Sequence, residues 1–203
     1  MTLTFPRTLL CMAVAASLSA CTLFPERPAN RIFQLPAPAI AKAADAKQQE
    51  RTLRVGTPQA ENPINSARIL VSPGGNRSNE IQAYQGVRWS NKAPVLVRNH
   101  LIEAFRRDGR LATVITDTSP ARSDLTLAGH LTAFQSEYQD GAPFALIRLD
   151  IQLIDERTRN TLASKRFEHR HPATGEEVEA VVEAFGEASG ELAREVVDWT
   201  LEQ

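Results

Sequence analysis

Apolar and polar positions alternate most regularly between residues 145 and 154. Ala145, Ile147, Leu149, Ile151 and Leu153 fall on one side of an extended chain, and Leu146, Arg148, Asp150, Gln152 and Ile154 on the other. Upstream, Leu125, Leu127, Gly129, Leu131 and Ala133 alternate in the same way, and Phe134, Ser136 and Tyr138 then take the opposite phase. That slip predicts one strand with a bulge near Thr132. Asp140-Gly141 predicts the hairpin turn between these two runs, and residues 155–160 predict a second turn into a strand over 161–169. Together they make a three-stranded antiparallel meander.

Two other stretches repeat at three and four residues. Val97, Leu101, Ala104 and Phe105 predict a helix capped by Asn91, with Pro94 in its first turn and Gly109 as its stop. Val178, Val182, Phe185, Ser189, Leu192, Val196 and Trp199 predict a long amphipathic helix, introduced by Thr174-x-x-Glu177 as a capping box. Its other side carries Glu179, Glu183, Glu187, Glu191 and Glu195 at intervals of four. Like charges at that spacing oppose one another, so packing of the apolar stripe must hold the helix.

Shorter apolar runs at 31–35, 51–55, 67–72 and 111–116 predict further strands, with Pro73-Gly74-Gly75-Asn76 as a turn and a Pro/Ala-rich loop over 36–49. Residues 80–89 carry a weaker signal, a strand or an ordered loop. The predicted fold class is α+β: a mixed or antiparallel sheet with a three-stranded meander and two helices packed on one face.

The start of the chain follows another pattern. Arg7 precedes a run of about ten mostly apolar residues, too short to cross a bilayer, which needs about 20. The run closes in Leu18-Ser19-Ala20-Cys21. This ending resembles the bacterial lipobox, in which the cysteine thiol receives a diacylglycerol and the chain is cut before it. The resemblance implies a signal peptide over 1–20, cleavage between Ala20 and Cys21, and lipidation of Cys21. Residues 21–30 then form a tether that Pro25 and Pro28 keep extended, reaching about 30 Å, and residues 31–203 form the domain. An Asp after the lipidated cysteine usually retains such proteins at the inner membrane. Thr22 stands there instead, which implies the periplasmic face of the outer membrane.

Charge and composition narrow the chemistry. The 203 residues carry 23 Lys and Arg against 24 Asp and Glu, a formal net charge of −1, which leaves no broad footprint for nucleic acid. The two cysteines, Cys11 and Cys21, both belong to the leader or its end, so the domain has no internal disulfide. No glycine-rich phosphate loop, dinucleotide fingerprint or serine elbow is present, and no cofactor is called for.

His169 and His171, with Glu168 nearby, are the metal candidates, but a surface strand end accounts for them and no metal is assigned. His100 and His130 read as satisfied or solvent-facing. Asp124 and Glu137 are the carboxylates that a periplasmic hydrolase would use, and strand phase gives them no reason to converge. Two surfaces are candidate partner contacts. Glu183 and Glu187 on the acidic row would meet a basic partner, although such a row is more often simply solvated. Trp89 would either staple the start of the first helix or stand exposed as a contact.

The order of these elements is similar to the ABC-type transport auxiliary lipoprotein family, to which paraquat-inducible protein C belongs. The residues that carry the resemblance are the lipobox, Phe33-x-Leu35, Leu53-x-Val55, Ala67 to Val71, Tyr84-Gln85-Gly86-Val87-Arg88-Trp89, and Leu101-x-x-Ala104-Phe105. Phe134-x-x-x-Tyr138, Leu162-Ala163-x-x-x-Phe167 and the terminal helix closing in Trp199 complete the series. It covers roughly residues 31–201. This chain departs from the pattern at Phe33, where Tyr is common, and at Lys92, where a Pro often stands closer to the Trp.

The resemblance implies a non-catalytic, outer-membrane component of an MCE-protein and ABC-transporter system that moves phospholipids or other hydrophobic compounds. An MCE-domain protein would be the partner, with a homo-oligomer as a further expectation. The alternative is an envelope regulatory or binding lipoprotein that acts on a different partner, such as a cell-wall enzyme.

Overall fold

The computed structural model describes residues 29–42 and 48–203. In chain order the elements are β1 (Arg31–Phe33), β2 (Gln49–Val55), β3 (Leu70–Ser72), β4 (Gln82–Ala83), β5 (Val87–Trp89), α1 (Ala93–Asp108), β6 (Leu111–Thr116), β7 (Leu125–Gln139), β8 (Ala142–Asp155), β9 (Thr161–Pro172) and α2 (Val178–Leu201).

Long, continuous alternation makes β7, β8 and β9 the frame of the molecule. They form the expected antiparallel meander, and the register shift in β7 falls between Leu131 and Ala133, where the phase of the sequence slips. Beside β7, two parallel pairings divide its length. β2 lies between β6 and the start of β7, with Leu53 opposite Leu125. β3 pairs with its far end, with Val71 opposite Ser136, and β4 completes that edge. β1 and β5 form a separate parallel pair. The fold is therefore α+β with a mixed sheet.

Both helices cover the face of the sheet that presents Ile147. Val97, His100 and Leu101 of α1 and Ser189 and Leu192 of α2 meet Ile147 around one small gap. The core behind them is continuous, from Leu53 and Val55 through Phe134, Leu149 and Phe167 to Phe185, Val196 and Val197. Helix α1 stops where Gly109 takes φ 78°, a left-handed conformation open to glycine, and its N–H reaches the Phe105 carbonyl at 3.2 Å.

The segment 34–42 runs from β1 across both helices. Pro36 sits so close over Gly186 that a β-carbon there would lie 2.7 Å from the proline ring, and the Arg107 guanidinium donates to the Pro38 carbonyl at 2.9 Å.

Several local expectations change. The N-cap of α2 is Glu177, in extended geometry and without a side-chain cap. Thr174, three residues before that N-cap, therefore makes no capping box. The N-cap of α1 is Lys92 rather than Asn91, because the Asn91 side chain accepts from the Lys92 N–H at 2.8 Å instead of from the first turn. Residues 80–89 resolve into the two short strands β4 and β5.

Candidate functional site

Ala20 and Cys21, where the sequence puts cleavage and lipidation, lie outside the described residues. Among the described residues, no helix is long and apolar enough to cross a membrane.

Trp89 is 0% exposed and is not a partner contact. Its ring meets Phe134 at 5.8 Å and Phe185 edge-on at 5.3 Å, so it joins β5, β7 and α2 at the centre of the core. The strand β5 that carries it pairs with β1, Phe33 opposite Trp89.

The acidic row of α2 divides. Glu179 pairs with Arg31 at the start of β1. Glu191 and Glu195 turn toward the inward face of β9. There Lys165 Nζ lies 2.8 Å from Glu195, His169 Nε2 lies 2.8 Å from the other Glu195 oxygen, and His171 Nδ1 lies 3.8 Å from Glu191. Hydrogen bonding from Lys165 first, and then from His169, holds the Glu195 carboxyl below its usual range. This cluster clasps the free edge strand to the helix.

Glu168 points to the opposite face, 2.6 Å from Arg148 and 3.2 Å from Arg170, and does not join the histidines. Among the described residues, no group of three or more His, Cys, Asp and Glu is arranged to hold a metal. Glu183 and Glu187 are exposed, form no ion pair among the described residues, and border a shallow notch of about 120 Å³ with Pro36, Gly186 and Arg194.

His100 is not solvent-facing, and its Nε2 is unsatisfied. It is 7% exposed, and its Nε2 has no hydrogen-bond partner; neither has the nearby Ser189 hydroxyl. Burial lowers its pKa to about 4, an effect that the nearby Ser189 and Pro36 carbonyls offset only in part. His130 is exposed, as expected. Asp124 precedes the first residue of β7 and Glu137 stands near its last. About 13 residues of strand, or roughly 40 Å, separate them, so they form no catalytic pair.

An open cleft of about 860 Å³ lies at the pole where β7 begins and β8 ends. Its frame is Arg54 on β2. The Arg54 guanidinium donates to the carbonyls of Thr116, Ser119 and Ala121 and to the Ser123 hydroxyl, which fixes the loop between β6 and β7. Asp124 accepts from the Thr52 N–H at 2.7 Å, Asp155 from the Thr158 N–H at 2.7 Å, and Glu156 from the Thr126 hydroxyl at 2.5 Å. The Thr158 bond holds the Asp155 carboxyl below its usual range. Sequence reading missed this cleft, because its walls come from three separated segments.

The family model of the ABC-type transport auxiliary lipoprotein component matches residues 33–197. The chain is also similar to protein XCC0632 from Xanthomonas campestris. That crystal structure superimposes with a TM-score of 0.76 at 28% identity, covering 84% of this chain and 95% of that one. A second crystal structure, of an uncharacterised protein, shares the fold with a TM-score of 0.65 at 14% identity, over 84% of this chain and 98% of the other. An uncharacterised protein of Bradyrhizobium diazoefficiens is 25% identical over 156 residues, 77% of this chain, which spans only 41% of that relative's length. With almost the whole folded domain matched in sequence and the same topology in the Xanthomonas protein, the chain belongs to the ABC-type transport auxiliary lipoprotein family.

Proposed function

We propose that this protein is the outer-membrane-anchored, non-catalytic docking component of an MCE and ABC transport system that moves phospholipids or other hydrophobic compounds across the periplasm. Residues 1–20 are its signal peptide, Cys21 carries the lipid, residues 21–30 form the tether, and residues 31–203 form the auxiliary domain. The observation that carries this reading is the family match over 33–197 behind a lipobox-like Leu18-Ser19-Ala20-Cys21.

Three acyl chains, each methylene contributing about 0.8 kcal/mol, suffice to hold a domain at a membrane without a spanning helix. The separation of Asp124 from Glu137 and the clasping role of His169 and His171 both suit a part that acts by contact. Glu183 and Glu187 lie exposed on the first half of α2, and an acidic row of this kind is more often simply solvated.

The anchor is tested by Cys21→Ser. The wild-type protein should label with radioactive palmitate and sediment with outer membranes, while the variant should take up no label and leave the membrane or persist uncleaved. An unlabelled, soluble wild-type protein would refute the anchor.

A further inference from the structure

The tether enters at one pole of the domain. The Arg31 N–H bonds the Gly86 carbonyl, its side chain meets Glu179 in the first turn of α2, and neighbouring Tyr84 bonds Ser136 near the end of β7. Ser136 is opposite Ala145, whereas the cleft lies around Asp155, ten residues further along β8. At about 3.3 Å per residue, the cleft is roughly 30 Å from the tether. That exceeds the screening length of about 8 Å several times over. On the anchored protein proposed above, this end of the domain, opposite Arg31, is the part least tied to the headgroups around the anchor.

Arg51, Arg122 and Arg157 all line this cleft and form no ion pair among the described residues. They differ from Arg54, whose donors are taken up by the loop, and from Arg159, which lies 3.5 Å from Glu156. Three of the cleft's acids, Asp124, Glu156 and Asp155, accept from the chain's own donors at Thr52, Thr126 and Thr158, while Arg122 and Arg157 are exposed and Arg51 is half-buried.

At the same pole, outside the residues that line the cleft, Leu162 of β9 is 44% exposed. It is the large apolar side chain left open at this pole among the described residues; Ile32 and Ile81 lie toward the other. Guanidinium groups with an exposed apolar side chain at the same end of the domain are the make-up of a protein interface. The lining also carries Glu50, Asp124, Asp155 and Glu156, so its charge is nearly balanced. That disfavours a polyanionic surface such as a lipid bilayer and favours bidentate recognition of individual carboxylates.

We infer that this cleft is the docking surface for the transport system's protein partner, through a carboxylate-bearing segment received by Arg51, Arg122 and Arg157 with Leu162 as the apolar anchor. The assignment rests on the docking function proposed above.

The test is capture of the MCE-domain protein by full-length, lipidated protein, comparing wild type, R51E/R122E/R157E, R51Q/R122Q/R157Q and E183K/E187K. Circular dichroism and thermal unfolding establish that each is folded. The triple reversal should weaken capture at least about tenfold, the glutamine variant should fall between it and wild type, and E183K/E187K should retain capture. Rising salt should weaken wild-type capture. Undiminished capture by a folded triple reversal overturns the surface and leaves the docking function standing; failure of the wild type to capture the partner overturns both. Arginine-dependent bridging of protein-bearing phosphatidylcholine vesicles to vesicles with about a third phosphatidylglycerol would also overturn the assignment, in favour of a lipid headgroup.

Discussion

The two faces of β8 and β9 are built from the same residues in alternation and have opposite chemistry. Beneath the helices, Ile147, Leu149, Ile151, Leu153 and Phe167 are buried. On the open face, Arg148 reaches across to Glu168 and Arg166 to Asp150, while Arg170 lies 5.2 Å above the Phe144 ring. The inner face depends on shape and on exclusion of water, where a lost aromatic leaves a void. The outer face depends on solvated ion pairs that contribute little. Stability therefore resides under the helices, and the surface is left free to recognise a partner.

The largest break in that comparison is Trp89→Ala. Removing the ring that bridges Phe134 and Phe185 should cost about 3 to 5 kcal/mol in chemical denaturation, and the variant should accumulate poorly.

His100 gives the next effect, through pH. The unfolded chain takes up a proton there below about 6.5, whereas the folded domain does so only near 4 because the ring is buried. Its contribution is fully present above pH 6.5 and declines as pH falls toward 4, by about 3 kcal/mol at most. Equilibrium denaturation across that window should show a steeper loss for wild type than for a folded His100→Leu variant; parallel curves would remove His100 as the cause.

The smallest effect belongs to the open face. Arg166→Ala, which breaks the pair with Asp150, should leave the denaturation midpoint unchanged within error, and a large shift would show that this face also carries the fold.

Much of the frame is legible in the chain, because the meander and the helix over 178–201 rest on local periodicity, down to the bulge at Thr132. What alternation cannot show is which distant segments meet. The placing of β2 between β6 and β7 comes from parallel pairing over 60 residues or more, and nothing near Arg54 announces acceptors at Thr116, Ser119 and Ala121. The acidic row was visible on α2, yet its division was not, since Lys165, His169 and His171 arrive from β9. Trp89 was ambiguous for a similar reason: a tryptophan before a helix reads as staple or contact until the sheet that covers it is known. His100 looked ordinary in the spacing of α1, and only the approach of Ser189 and Pro36 isolates its ring.

The proposed role is docking of a lipid-anchored domain to a transport partner. The most direct measurement is the composition of the complex isolated with the native, detergent-solubilised protein from its own membranes. The account predicts co-isolation of an MCE-domain protein, lost in Cys21→Ser cells and preserved in His169→Ala. Isolation with a cell-wall enzyme and no MCE-domain protein would contradict it.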